Sequence, residues 1–67
     1  MPDVDTLKAE VKKLSAQAMQ AKMDLHDLSE DLPLGLENVM RVATRVCDTY
    51  AALTAKRAEL KALEAAV

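Results

Sequence analysis

The sequence has few of the groups that usually stabilise a small protein. It contains one cysteine, so no disulfide can form within the chain. With one histidine as well, a tetrahedral zinc site would need carboxylates or a second chain. Tyr50 is the one aromatic residue in 67. Because a lone core in a chain shorter than about 70–80 residues supplies only a few kcal/mol, this composition predicts that the protein associates with itself.

Other absences argue against whole classes of function. Nine basic residues against eleven acidic ones leave no positive excess to neutralise a phosphate backbone. No apolar run approaches the ~18 residues that would span a bilayer, and no secretion signal is recognisable. No glycine-rich phosphate loop and no nucleophile with a nearby base can be found. We therefore expect a cytoplasmic protein that is not an enzyme and binds neither nucleic acid nor membrane.

The residues that are present favour long helices. Hydrophobic residues make up 51% of the chain and charged residues 30%, with one glycine and two prolines. From Val4 to Leu32 apolar residues recur at alternating steps of three and four, which is the pattern of a heptad repeat. This predicts a first helix over about residues 4–32, with Asp3 or Asp5 as its N-cap.

A single group of helix-breaking residues lies at the middle of the chain. Pro33 and Gly35 predict a turn over 33–36, followed by a second helix over about 36–65. The heptad positions of the two helices form what we call the seam, and they are Val4, Leu7, Val11, Leu14, Ala18, Ala21, Leu25, Leu28, Leu32, Val39, Ala43, Val46, Tyr50, Leu53 and Leu60. The predicted fold is an all-α, antiparallel two-helix hairpin forming a single domain over residues 1–67.

The apolar stripe of the second helix is wide, and this favours a bundle over a two-stranded coil. Two hairpins would cover both stripes, so we expect a homodimer that forms a four-helix bundle, or a higher assembly such as a dimer of dimers. Arg57 interrupts the seam and is expected to reach its rim. Cys47 lies beside the seam, where we expect a half-buried, small apolar side chain. Folding the chain about residue 34 places Glu10 at the level of Lys56.

A second stripe runs along the outer face of the first helix. Met19, Met23, His26 and Glu30 follow one another at steps of four, three and four. We define the outer stripe as Met19, Lys22, Met23, His26, Asp27 and Glu30. Exposed methionine is common at adaptable binding surfaces, so the outer stripe is a candidate partner-binding surface. The alternative is that these are scattered surface residues without a role.

The same stripe contains candidate metal ligands. The i, i+4 spacing of His26 and Glu30, with Asp27 between them, would let nitrogen and oxygen donors reach one transition metal ion. A second chain would have to supply the remaining ligands. The alternative is a solvated histidine near the end of a helix.

Acidic residues are concentrated around the turn. Residues 24–37 contain Asp24, Asp27, Glu30, Asp31 and Glu37, and no lysine or arginine. One interpretation is that this cluster meets a basic partner or a cation. The other is that Arg41 and Arg45 neutralise it across the hairpin.

Several segments resemble one family. The residues that carry the likeness are Lys12-Lys13-Leu14, Ala18, the run Lys22-Met23-Asp24-Leu25-His26-Asp27-Leu28, Glu30, Leu32-Pro33, Met40, Val42-Ala43 and Lys61-Ala62-Leu63-Glu64. Together they resemble the small Rop-like accessory proteins of nitrogen fixation in diazotrophic bacteria, over nearly the whole chain. The resemblance implies a hairpin that dimerises into a four-helix bundle, and a role beside the proteins of nitrogenase maturation.

Two hypotheses about function follow. The first is a non-enzymatic accessory protein of nitrogen fixation, associated with nitrogenase maturation or cofactor assembly, whose partners contact the outer stripe. The second is a metal-binding or metal-delivery protein that uses His26, Asp27 and Glu30 from two chains. RNA binding, which would produce a salt-sensitive complex, is not expected for an outer face that carries methionine, histidine and acids.

Overall fold

A computed structural model describes residues 3–66 and contains two long helices that form a hairpin. Helix α1 spans Val4–Asp31, a 3₁₀ turn spans Leu36–Asn38, and helix α2 spans Val39–Ala66. No strand occurs within residues 3–66. The hairpin measures 51 × 16 × 14 Å, so it is a rod. The predicted all-helical hairpin is confirmed, while residues 1–2 and 67 of the predicted domain lie outside the described range.

Helix α1 begins at a capped N-terminus. Asp3 has an extended backbone, and its carboxylate accepts a 2.7 Å hydrogen bond from the backbone N–H of Thr6. The Asp3 carbonyl accepts the first helical bond, from the N–H of Leu7, at 3.0 Å. Asp3, and not Asp5, is therefore the N-cap, and Asp5 lies in the first turn near the positive end of the helix dipole.

Helix α1 ends at Asp31, one residue before the predicted end. Leu32 has a ψ of 141°, which is extended. The ring of Pro33 disfavours helical geometry in the residue before it, and this explains the early end. Leu32 therefore departs from the helical period, and its side chain is exposed in the single hairpin.

The turn leads into a tighter helical segment before α2 begins. Gly35 adopts the left-handed conformation, with φ of 78°, which glycine reaches without steric cost. The first residues of the predicted second helix, 36–38, form a 3₁₀ turn, and regular α-helix starts at Val39. The helix ends at Ala66, within the usual uncertainty of the predicted end at 65.

The core lies along the line where the two helices meet. Within residues 3–66 the buried apolar residues are Leu7, Ala18, Ala21 and Leu53. Most other seam residues are half-buried, namely Val4, Val11, Leu14, Leu25, Leu28, Val39, Ala43, Val46 and Leu60. Tyr50 is 38% exposed, and Arg57 is exposed as well. One hairpin therefore covers part of its seam and leaves a flank open.

Two ion pairs join the helices within the described residues. Lys56 Nζ lies 3.1 Å from Glu10 Oε2, which agrees with the register expected from folding about residue 34. Arg45 Nη1 lies 3.0 Å from Asp24 Oδ2, nearer the turn. Hydrogen bonds and attraction from Glu10, and then from Glu59, raise the pKa of Lys56 above its usual 10.5. Because all of these groups are partly or largely exposed, the pairs fix register more than they stabilise the fold.

Candidate interaction surface on the first helix

The outer stripe lies on the exposed side of α1. Met19 is 56% exposed and Met23 is 54% exposed, and neither contributes to the buried core. Lys22, His26, Asp27 and Glu30 are exposed too. The heptad repeat places the leucines of α1 against α2, and the same repeat turns these residues outward. The outer stripe is thus available for contact in a single hairpin.

The C-terminal part of the outer stripe, from His26 to Glu30, forms a small polar group. His26 Nε2 lies 3.2 Å from Glu30 Oε1, one helical turn away, and His26 Nδ1 lies 3.7 Å from Asp27 Oδ1. Ser29 donates a 2.7 Å hydrogen bond to the carbonyl of His26. His26, Asp27 and Glu30, which the sequence predicts to be neighbours, therefore lie together on the last turns of α1. At these distances Asp27 and Glu30 lie close enough to orient the imidazole of His26.

The same group gives a limited set of metal donors. His26 and Glu30 could both contact one ion from their i, i+4 positions. Within residues 3–66 no group of three or more histidine, cysteine or acidic side chains is arranged to hold a metal. A transition metal site therefore cannot be assembled from the described part of one chain.

The N-terminal part of the outer stripe, which contains Met19 and Met23, borders a shallow groove between the helices. Met19 and Met23 line it together with Val11, and Lys8, Lys12 and Arg57 place positive charges around it. Sequence reasoning missed this groove because it joins residues from both helices. The sequence signal that could have indicated the groove is Arg57, a charged residue at a heptad position.

The acidic residues near the turn are partly neutralised. Asp24 accepts hydrogen bonds from Arg45 across the hairpin, at 3.0 Å, and from Gln20 at 2.9 Å. Arg41 donates instead to the side-chain oxygen of Asn38, at 3.1 Å. Arg45 therefore takes the role expected of both arginines, and Arg41 does not contact an acidic residue of the cluster.

Cys47 is exposed, whereas the sequence predicted a half-buried position. It lies on α2 beside Ala43 and Tyr50, on the flank that one hairpin leaves open. A heptad position predicts the direction in which a side chain points, but coverage depends on whether a neighbouring helix is present. The expectation was wrong for the single hairpin for that reason.

The helices show no sign of a membrane-spanning segment. Throughout residues 3–66, charged side chains interrupt the apolar positions of both helices too often for either to cross a bilayer.

The geometry defines a class of protein: a rod-shaped helical hairpin with an exposed methionine, histidine and carboxylate surface on its first helix. The sequence profile of the Rop-like family matches residues 2–65. This chain therefore belongs to the Rop-like family. The predicted resemblance is confirmed.

Related proteins occur in several bacteria. A UPF0437 protein of Azorhizobium caulinodans is 52% identical over 65 residues, which cover 97% of this chain and 94% of that protein. A UPF0437 protein of Trichormus variabilis is 41% identical, over 91% of this chain and 71% of the relative. A Frankia alni relative, named a UPF0437 protein in the nifX-nifW intergenic region, is 45% identical over 73% of this chain and 60% of its own length. No solved structure matches.

Proposed function

We propose that this protein is a non-enzymatic accessory protein of nitrogen fixation that works beside nitrogenase maturation or cofactor assembly. The observation that carries the proposal is the Frankia alni relative, whose name places it in the nifX-nifW intergenic region. The 45% identity between that relative and this chain supports a related role here. Genes that lie among those of one process are commonly used in that process.

The outer stripe is the proposed contact surface for the maturation proteins. Its methionines are exposed, and the buried residues Leu7, Ala18, Ala21 and Leu53 hold the helices together without them. Methionine side chains adapt to differently shaped partners, while His26 and Glu30 supply polar contacts beside them. The surface therefore suits a binding protein better than a catalyst.

We propose further that the protein acts in the cytoplasm as a homodimer that forms a four-helix bundle. The support is the small core and the half-buried seam, because a second hairpin would cover Tyr50, Val11 and Leu25. Sedimentation equilibrium measures the mass directly. A mass of one chain at tens of micromolar protein would contradict the dimer.

The experiment that tests the function is a binding assay with purified nitrogenase and cofactor-assembly proteins. The variant Met23→Ser/His26→Ala should lose most of the binding shown by the native chain. The matched control is Thr44→Ser/Asp48→Asn, two exposed positions on the face of α2 away from the seam. Full binding by the first variant would show that the outer stripe is not the contact surface, and no binding by the native chain would contradict the role itself.

Metal binding is the second candidate function, and the 3.2 Å contact between His26 and Glu30 is the observation that favours it. The remaining ligands would come from another chain. Calorimetric titration with Ni²⁺ or Fe²⁺ tests this candidate. Heat that is unchanged in His26→Ala would exclude a site built on this histidine.

A further inference from the structure

The turn end of the hairpin exposes an unusual number of large apolar side chains. Leu34 is 75% exposed, Leu36 61%, Met40 77% and Leu32 40%. We call these four residues the turn cluster. They fall within nine consecutive positions, and most loops of this kind carry polar residues instead. Neighbouring exposed apolar side chains, unlike isolated ones, mark a site of interaction.

The leucines of the turn cluster lie where neither the seam nor the outer stripe can account for their exposure. Met40 differs, because it lies one heptad before Cys47, at the edge of the flank that a second hairpin would cover. The hairpin is 51 Å long and no more than 16 Å across, and the turn forms one end of the rod. A second hairpin packed alongside would cover a flank. The exposed end would stay open, since side-by-side packing leaves the tip of a rod uncovered.

The turn holds the cluster in a defined shape. The backbone N–H of Leu34 donates to the carbonyl of Asp31 at 3.0 Å, and the backbone N–H of Leu36 donates to the carbonyl of Pro33 at 3.2 Å. The N–H of Asn38 donates to the carbonyl of Gly35 at 2.8 Å. A surface that is already ordered loses little conformational entropy when it binds, so it is suited to specific docking.

The charges around the cluster indicate what kind of partner fits. Glu30, Asp31 and Glu37 lie next to its leucines in the sequence, and residues 24–40 contain no lysine or arginine. Arg41, which follows Met40, donates to the side chain of Asn38 and not to one of these acids. The one acidic residue of this region that an arginine neutralises is Asp24, through Arg45. A second turn end would bring like charges together, and an anionic lipid surface or nucleic acid would be repelled.

We propose that the turn cluster docks end-on into an apolar pocket of a partner protein whose rim carries lysine or arginine. The leucine side chains fill the pocket, and the acidic residues meet the basic rim. This contact is separate from the outer stripe, and it stands or falls independently of a role in nitrogen fixation.

The first arm of the test identifies what the turn touches. A photocrosslinking amino acid replaces Leu34 or Leu36 in the chain, which is expressed in Azorhizobium caulinodans, a bacterium that has a related protein. Ala52 on α2 is the control position. We expect adducts with one protein from positions 34 and 36 and none from 52, on a segment with apolar residues flanked by basic ones. Adducts with a second copy, or the same adducts from all positions, would overturn the proposal.

The second arm measures binding of the purified partner identified in this way. Leu34→Ser/Leu36→Ser should weaken binding by about tenfold or more, as truncation of central interface residues does. The charge reversal Glu37→Lys should weaken it too, and added salt should weaken the native complex. Met23→Ser/His26→Ala is the matched control and should leave this contact unchanged.

Circular dichroism separates binding from folding. Because the turn cluster is exposed, its serine variants should keep the helical signal of the native chain. Binding that is indifferent to charge reversal and salt would overturn the basic rim. Full binding by a folded Leu34→Ser/Leu36→Ser variant would overturn the proposal as a whole.

Discussion

The seam and the turn cluster are both built from large aliphatic residues, but the fold uses them in different ways. Leu7 and Leu53 are almost completely covered where the helices meet, while Leu34 and Met40 are among the most exposed side chains described. Hydrophobicity alone therefore does not assign a residue to the core. The position of the residue relative to the neighbouring helix decides whether it stabilises folding or is free for binding.

The largest expected effect comes from truncating the seam. Leu53→Ala should lower the free energy of unfolding by roughly 2–5 kcal/mol, because it removes a buried side chain and leaves a cavity. Leu34→Ala should change it by no more than about 0.5 kcal/mol. Urea titration of both variants at one protein concentration checks the contrast. Equal losses would mean that the turn cluster is part of the core.

The next effect concerns the turn itself. Gly35→Ala should destabilise the hairpin by about 1–2 kcal/mol, since an L-residue is strained at the φ of 78°. The new Cβ would also come within 2.9 Å of Leu28 Cδ1. Gly35→Asn is the matched control, because asparagine tolerates the left-handed region but meets Leu28 equally. Thermal unfolding that is the same for alanine and glycine would show that the turn relaxes freely.

A smaller effect is expected at the N-terminus of α1, at the end of the rod opposite the turn. The hydrogen bond from the Thr6 N–H lowers the pKa of Asp3 below its usual 3.8. Its stabilising contribution is thus present above pH 3.8 and is lost as the pH falls through the lowered pKa. Asp3→Ala should lose the cap at every pH, whereas Asp3→Asn should keep an acceptor and lose the pH dependence. A melting temperature unaffected by either change would exclude Asp3 as a working cap.

The smallest effect is expected from the Glu10–Lys56 pair beside the seam. The raised pKa of Lys56 means that its contribution is present below pH 10.5 and is lost as the pH rises through the raised value. Lys56→Gln should therefore lower the melting temperature slightly at neutral pH, and added salt should reduce the difference. A large, salt-insensitive loss would show that the pair belongs to the core.

Much of the helical hairpin could be predicted from the heptad repeat and from Pro33 with Gly35. The register followed too, because Glu10 and Lys56 lie at similar separations from the turn in the sequence. The exposure of Leu32 and Cys47 could not be predicted, since it depends on where α1 ends and on which flank lacks a neighbour. The groove between Met19 and Arg57 escaped prediction because it depends on the distance between helices.

The left-handed backbone of Gly35 also sets the direction of the whole second helix. Helix α2 contains 28 residues, so it is about 42 Å long at 1.5 Å per residue. Rotating such a rod by 10° at the turn would move its far end by about 7 Å, more than one helical turn. A small change in this one backbone torsion would therefore displace the opposite end of α2 by several ångströms. The packing of Leu7 and Leu53 between the helices opposes that displacement.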